Sequence, residues 1–254
     1  MKKCIASNFS QAAAEYDKFA LVQKKSIVTM GELLPLPHSL PSGPVLEIGC
    51  GTGRLSRKLS TIFQNRSLIF TDMASGMIEQ CRRHLPQTTP RHIWLIMDGE
   101  SPAARGCALI VSSLTMQWFN DPASALGNIR DILQDGGQIL FSYIGVDSCP
   151  QWRQICAELQ LPCTINPLPD NQYLLPLLEG KFKNIKLWNE DIDVEYTTAR
   201  DFFYSLKRTG AATQLKGQRL NSSEMRKLLK GWQLKLDGSP LIMTYNIQYL
   251  RAVK

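Results

Sequence analysis

Val45-Leu46-Glu47-Ile48-Gly49-Cys50-Gly51-Thr52-Gly53 is the stretch from which the rest of the chain can be read. Residues 45–48 are an apolar run broken by one acid. They follow Pro41-Ser42-Gly43-Pro44, so a buried strand opens just past a breaker. Glycines at alternate positions then form a turn that side chains would obstruct. Leu55, Leu59 and Ile62 stand at helical spacing and start a helix near Arg54. A glycine-rich passage from strand to helix leaves backbone N–H groups free and lets a ligand approach the main chain. The spacing is G-x-G-x-G. Neither the G-x-G-x-x-G of dinucleotide folds nor a G-x-x-x-x-G-K-[ST] phosphate loop is present. Glu47, inside the strand, would repel a phosphate but not a ligand carrying an ammonium or sulfonium.

The pattern continues outward from this turn. A second apolar run, 67–71, ends in Asp72, and an acid at that place can accept both hydroxyls of a ribose. Residues 76–85 read as a helix closed by Pro86. A third strand, 92–97, ends at Asp98-Gly99, and a fourth, 107–111, runs into Ser112-Ser113-Leu114-Thr115-Met116-Gln117-Trp118-Phe119. A helix at 122–133 carries Ala125, Leu126, Ile129, Ile132 and Leu133 on one side. Asp135-Gly136-Gly137 stops it, and 138–143 is a fifth strand. Strand and helix alternate from 45 to 143, which implies right-handed crossovers and a parallel sheet. Ligands bind at the carboxyl ends of such strands, so residues 112–118 fall between cofactor and substrate.

Glu47-Ile48-Gly49-Cys50-Gly51-Thr52-Gly53, with Asp72 after the second strand, resembles the S-adenosyl-L-methionine (SAM) binding core of class I methyltransferases. The resemblance implies SAM as cofactor, S-adenosyl-L-homocysteine as its product, and no metal. It turns the glycines toward the methionine part, sets Asp72 on the ribose and Asp98 on the adenine amino group, and lays the backbone of Gly99 against the ring. The implied cofactor contacts are Tyr16, Gln23, Glu47, Gly49, Gly51, Gly53, Asp72, Met73, Asp98, Gly99, Ser112 and Leu114.

The 254 residues have room for one large α/β domain, or for a core with an inserted lobe. The formal charge of +7 fits an acidic partner or surface, or simply a basic surface without one. Met1-Lys2-Lys3-Cys4-Ile5 lacks the apolar run of a signal peptide, and no stretch approaches the ~20 apolar residues of a membrane span. The seven cysteines are scattered and form no C-x-x-C pair, so neither a disulfide framework nor a zinc site is expected. Reduced thiols and a cytoplasmic location without membrane attachment are the expectation.

Residues 10–32 read as one helix, with Ala12, Ala13, Tyr16, Phe19, Ala20, Gln23, Ile27 and Met30 along a face and Asn8 or Ser10 as its cap. Tyr16 and Gln23 are two turns apart and share that face. The prolines of 34–44 make a linker. From 144 to 235, Pro150, Pro162, Pro167, Pro169 and Pro176 cut the chain into short pieces. Helices are expected at 151–160, 172–180 and 198–207, the last entered through Thr197 or Thr198, and strands at 184–188 and 191–196. Residues 241–250 are a final strand, antiparallel at the sheet end. The expected fold is therefore α/β: a Rossmann-like class I methyltransferase sheet, mostly parallel with an antiparallel terminal strand, plus an inserted α-helical lobe. Its division is an N-terminal helix, lid and linker at 1–44, the SAM core at 45–146, a substrate and partner lobe with some core strands at 147–235, and the closing strand at 236–254.

Three further stretches sharpen the resemblance. They are Asn8-Phe9-Ser10-Gln11-Ala12-Ala13 with Tyr16-Asp17 and Phe19-Ala20-Leu21-Val22-Gln23, Val111-Ser112-Ser113-Leu114-Thr115-Met116-Gln117-Trp118, and Leu206-Lys207-Arg208-Thr209-Gly210-Ala211. Together they are similar to the malonyl-acyl-carrier-protein O-methyltransferases of biotin synthesis, although Ser113 stands where asparagine is usual. The implied reaction methylates the free carboxylate of a malonyl thioester on acyl carrier protein. A carboxylate is ionised at neutral pH and needs no general base. No catalytic residue is obligate, and Tyr16, Gln117 and Trp118 are the candidates. Tyr16 and Gln23 are read as a lid over SAM, and Gln117 and Trp118 as the surroundings of the carboxylate. Lys207, Arg208, Lys216, Arg219, Arg226, Lys227 and Lys230 offer a basic rim to the acidic carrier protein. One rival is a methyltransferase of a small carboxylic acid, phenol or quinone precursor, which needs the core and not the basic lobe. Another is a noncatalytic SAM-binding or nucleic-acid-binding protein, supported by net charge alone. Residues 207–230 hold no aromatics interleaved for RNA, so no nucleic acid is expected, and the chain is expected to act as a monomer.

Overall fold

Strand β1 (Val45–Ile48) is the short run before the glycines, and every residue in it is buried. In the computed structural model, which describes residues 2–85, 91–213 and 219–254, β1 lies inside a seven-stranded sheet. β2 (Leu68–Asp72) and β4 (Cys107–Ser113) flank it in parallel, with Val45 opposite Leu68 and Leu109. β3 (His92–Ile96) pairs in parallel outside β2, and β5 (Leu133–Ile144) outside β4. The C-terminal strand β7 (Leu241–Val253) runs antiparallel to β5, as the sequence leads one to expect. It does not form the edge. β6 (Lys183–Tyr196) pairs with it on the outside, from Lys186 opposite Arg251 to Tyr196 opposite Leu241. β7 is buried along most of its length, Asn246 and Gln248 included, whereas β6 exposes alternate residues, as an edge strand can.

Along β1 the side chains alternate between faces. Val45 packs with Met30, Leu55 and Leu59 on one side, and Leu46 and Ile48 pack with Ile129, Phe141 and Leu174 on the other. Helices α4 (Arg54–Ile62), α5 (Ser75–His84) and α6 (Pro122–Ile132) make the crossovers of the parallel part. The closure expected at Pro86 lies outside the described residues.

The single helix expected at 10–32 is three pieces: α1 (Lys2–Ala12), α2 (Tyr16–Phe19) and α3 (Leu21–Leu33), with Ala20 at a non-helical ψ of 56° between the last two. Tertiary contacts override the helical period. Asp17 accepts hydrogen bonds from Thr52 Oγ1 (2.7 Å) and Arg54 Nε (2.9 Å), which ties α2 to the glycine turn. Asn8 and Ser10 lie inside α1 and do not open a helix at 10: Asn8 Nδ2 donates to Thr213 Oγ1 (2.8 Å), and Ser10 Oγ accepts from the Gly76 N–H (3.2 Å) in the first turn of α5.

Beyond the core, α7 (Pro150–Glu158), α8 (Asn171–Leu178) and α9 (Ala199–Arg208) fall where helices are expected, and Thr198 caps α9 by accepting from the Asp201 N–H (3.1 Å). The two strands expected at 184–188 and 191–196 are one strand, β6, with an irregular register between Lys183 and Lys186. A helix the periodicity did not reveal, α10 (Ser222–Leu236), carries part of the basic cluster and opens with a capping box of Asn221 and Glu224. Trp152 of α7, Phe202 and Phe203 of α9 and Trp232 of α10 pack edge to face, joining these helices into one apolar wall.

Candidate active site

The turn after β1 is built by conformations that side chains rarely adopt. Gly49 has φ +73° and Gly51 φ +53°. A Cβ on Gly49 would stand 2.1 Å from Thr115 Oγ1. One on Gly51 would meet nothing within 4 Å, so open space lies directly over the turn. Asp72 reaches in from the end of β2. Its Oδ2 accepts from the Gly51 N–H (3.0 Å) and its Oδ1 from the Ala74 N–H (2.8 Å). Burial pushes its pKa up to about 6, against the lowering effect of the Ala74, Gly51 and Met73 N–H groups. Glu47 is buried beneath the turn and accepts from Ser56 Oγ (2.5 Å). Burial, with the Cys81 thiol beside it, holds its carboxyl well above the ordinary range.

A cavity of about 100 Å³ opens above these groups. Gly49, Gly51, Asp72, Met73, Asp98 and Gly99 line it, and α1 and α2 cover it with Lys2, Ile5, Phe9 and Tyr16. Lys2 was not foreseen. Its Nζ donates to Asp98 Oδ2 (2.6 Å) and lies 3.0 Å from Glu100 Oε1. Burial disfavours that ammonium, yet hydrogen bonds to the two carboxylates leave its pKa raised. A smaller cavity, about 40 Å³, brings Glu47, Tyr16, Gln23 and Ser113 to the other side of the turn.

A second chamber, about 540 Å³, lies between the core and the helices α1, α7, α9 and α10. It shares Phe9, Tyr16, Leu114 and Trp118 with the first cavity, so these four side chains form the passage between the two. The rings of Phe9 and Trp118 meet edge to face, with centroids 5.4 Å apart. Leu114 sits at φ +51°, an uncommon angle for a branched residue and a mark of local constraint. Gln117 faces the chamber. Its Nε2 donates to the Leu114 carbonyl (2.8 Å), and its Oε1 is buried with no partner among the described residues.

A family model described as a methyltransferase domain matches residues 45–137. A malonyl-[acyl-carrier protein] O-methyltransferase of Magnetococcus marinus is 32% identical over 249 residues, covering 96% of this chain and 90% of the relative. The chain belongs to the malonyl-[acyl-carrier protein] O-methyltransferase family. A relative of the same description from Brevibacillus brevis is 29% identical over 99% of this chain and 96% of its own length. The YcgJ protein of Bacillus subtilis, solved by crystallography, superposes with a TM-score of 0.62 at 13% identity over 91% of this chain and 98% of its own, a likeness of fold. The Rossmann-like methyltransferase sheet expected from the sequence is thus the fold, and the protein is a methyltransferase.

Within this family frame, most of the expected cofactor residues converge. Glu47, Gly49, Gly51, Asp72, Met73, Asp98, Gly99 and Leu114 border the two smaller cavities, and Tyr16 borders all three. Gln23 borders the chamber and the smallest cavity although it stands on a different helix from Tyr16. Two do not converge. Ser112 is buried and donates its hydroxyl to the Ile48 carbonyl (2.8 Å), while Ser113 faces the cavities instead. Gly53 opens α4 and borders none of the three. Of the basic rim, Lys207, Arg226, Lys227 and Lys230 are exposed, and Lys227 Nζ donates to the Leu159 carbonyl (2.8 Å). Arg208 is engaged within the molecule: it pairs with Glu15 and lies over the rings of Phe19 (5.7 Å) and Tyr204 (5.6 Å). Arg219 lines the chamber. Lys216 lies outside the described residues. Thr115 falls within the 112–118 stretch expected between cofactor and substrate, whereas Phe119, Met77 and the chamber walls at Trp152, Asn166 and Tyr245 have no local signal in the sequence. No helix among the described residues is long and apolar enough to cross a membrane.

Proposed function

We propose that this chain is a cytoplasmic enzyme that methylates the free carboxylate of malonyl-acyl carrier protein from SAM, early in biotin synthesis. The observation that carries the reading is the pair of cavities meeting at Phe9, Tyr16, Leu114 and Trp118, with no Asp, Glu, His or Lys among the described residues of the passage. A reaction needing a base would want one there; an ionised carboxylate does not.

The residues fit the cofactor. The space over Gly51 is free of protein atoms within 4 Å of a Cβ position. Asp72 uses one lone pair on each oxygen for backbone N–H groups, and a carboxylate has further acceptor sites for ribose hydroxyls. Asp98 shares its carboxylate between Lys2 and the adenine amino group in this reading, and Glu47 sets a carboxyl beneath the methionine part. When bound, SAM supplies a methyl group made electrophilic by its sulfonium, and S-adenosyl-L-homocysteine remains. Tyr16, Phe9 and Trp118 close the passage and exclude water, so the attacking carboxylate loses its hydration shell. Gln23 closes the lid from α3, and Leu114 and Trp118 align the carboxylate behind the methyl, where correct placement accounts for much of the rate.

The test is transfer of radiolabelled methyl to malonyl-acyl carrier protein and, separately, to free malonate. Labelling of the carrier-bound malonyl group alone is expected. Equal labelling of malonate would make the chain a small-molecule methyltransferase, and labelling of neither would remove the proposal.

A further inference from the structure

The chamber has one charged end. Among its described lining residues Arg219 is the only Arg, Lys, Asp or Glu. Arg219 is exposed, so it stands at the outer wall, and it makes no ion pair or hydrogen bond with any other described residue. At the inner end, beside the passage, Gln117 presents a buried atom without a partner. Its orientation is set by the Leu114 carbonyl, which can only accept and therefore takes the Nε2 donor. The atom left over is the acceptor Oε1. An acceptor does not attract a carboxylate; it matches an N–H. Between the two ends the walls mix apolar side chains, such as Trp152, Phe202 and Phe203, with polar ones, such as Asn8, Thr164 and Thr213.

The chamber therefore suits a ligand with an N–H near the passage, a length that alternates apolar and polar groups, and an anion at the mouth. We infer that Arg219 binds the phosphate of a phosphopantetheine arm and that Gln117 Oε1 accepts the N–H of the arm's nearer amide, which rests on the reading of the substrate as a carrier-protein thioester. A guanidinium matches a phosphate in shape as well as charge. This gives Arg219 a different task from Arg226, Lys227 and Lys230, which stand exposed on α10 and border none of the chamber. It also moves Gln117 from the carboxylate to the arm behind it.

S-malonyl-4′-phosphopantetheine and S-malonyl-pantetheine differ only in the phosphate, and both carry the amides. The unsubstituted chain is expected to favour the first in kcat/KM by about tenfold, the worth of one charge-assisted contact. Arg219→Gln should bring that ratio to within about twofold, and Arg219→Lys should restore part of it. Calorimetric dissociation constants without cofactor should follow the same ratio. Gln117→Leu should weaken both substrates alike, by about fivefold, and leave the ratio intact. An unchanged ratio in Arg219→Gln, with both thioesters methylated, would remove the phosphate subsite and leave the proposed reaction standing. A loss confined to malonyl-acyl carrier protein would assign Arg219 to the protein surface and overturn the inference. Unaltered binding of both thioesters by Gln117→Leu would remove the amide contact. If the unsubstituted chain methylates neither these thioesters nor the carrier protein, the proposed reaction fails and the inference with it.

Discussion

Asp72 is charged only with difficulty. Burial raises its pKa to about 6, and the backbone N–H groups of Ala74, Gly51 and Met73 only partly oppose this. The folded value lies above that of an unfolded aspartate. The group thus takes stability away as pH rises through that window, and is half ionised near pH 6. Ribose hydroxyls donate best to the ionised form. With Asp72 in its proposed ribose role, cofactor affinity should be near full from about one unit above pH 6 and fall through and below pH 6, at most about tenfold per unit, with Asp72→Asn weaker and flat across the range. Calorimetry at stepped pH checks this, and the same inflection in Asp72→Asn would assign it to another group. Gly51 tests the space above the turn. A β-branched side chain at φ +53° costs roughly 1–2 kcal/mol in backbone strain but meets no neighbour. Gly51→Val should therefore lower the melting temperature only modestly while abolishing cofactor binding. Gly49→Val, which would run into Thr115, should melt well below it.

The N-terminal helices act as a strap across both cavities. α1 is fixed at Lys2 to Asp98, at Asn8 to Thr213 and at Ser10 to Gly76, while α2 is fixed through Asp17 to Thr52 and Arg54. Asp17→Ala removes the second anchor. Both partners of the Arg54 pair are partly exposed, so the net loss of stability should be only about 1 kcal/mol after solvent screening. The larger effect should appear in kinetics: a raised KM for SAM and lower turnover as Tyr16 leaves the passage. Thermal melts beside initial rates separate the two, and a large melting shift without a KM change would make α2 structural packing alone. At the other wall, α10 depends on its first turn. Asn221 accepts from the Ser223 and Glu224 N–H groups, and Glu224 reaches back to the Asn221 N–H (2.8 Å). Asn221→Ala should cost about 1 kcal/mol, read as a lower denaturation midpoint.

Charge is distributed over the whole molecule in a way that fits an acidic macromolecule. The formal excess is +7, and α10 turns Arg226, Lys227 and Lys230 outward while Leu228 and Trp232 face the core. Exposed charges steer association more than they strengthen a complex. Reversing them as Arg226→Glu and Lys230→Glu should lower kcat/KM for malonyl-acyl carrier protein several-fold at low salt. The deficit should shrink near 0.15 M, where screening acts over about 8 Å. The ratio of rates on the two pantetheine thioesters should stay as it was, since neither carries the acidic protein. Arg208 does not belong in this set: its charge is already met by Glu15 and its plane by Phe19 and Tyr204, so Arg208→Glu would face Glu15 with a like charge and disturb the strap.

The glycine turn, the strand-end acids Asp72 and Asp98, and the alternation of strand and helix were legible because each is a local matter. A positive φ, a breaker, and a period of two or 3.6 are all written within a few neighbouring residues. The capping box that opens α10 is equally local, Asn221 and Glu224 standing three residues apart. Other features are not written locally at all. The break at Ala20 comes from Asp17 reaching Thr52 and Arg54, and the inner place of β7 from its long pairing with β6. Ser112 and Ser113 are neighbours on β4, and adjacent strand residues point to opposite faces; which of the two meets the cavity depends on how the helices cover the sheet. Lys2 against Asp98, Arg219 at a chamber mouth and Gln117 with its unpaired oxygen each depend on residues far apart in the chain. Periodicity reports which face of an element is buried, but not what that face is buried against. That second question is settled by packing among distant segments, which no window of sequence contains.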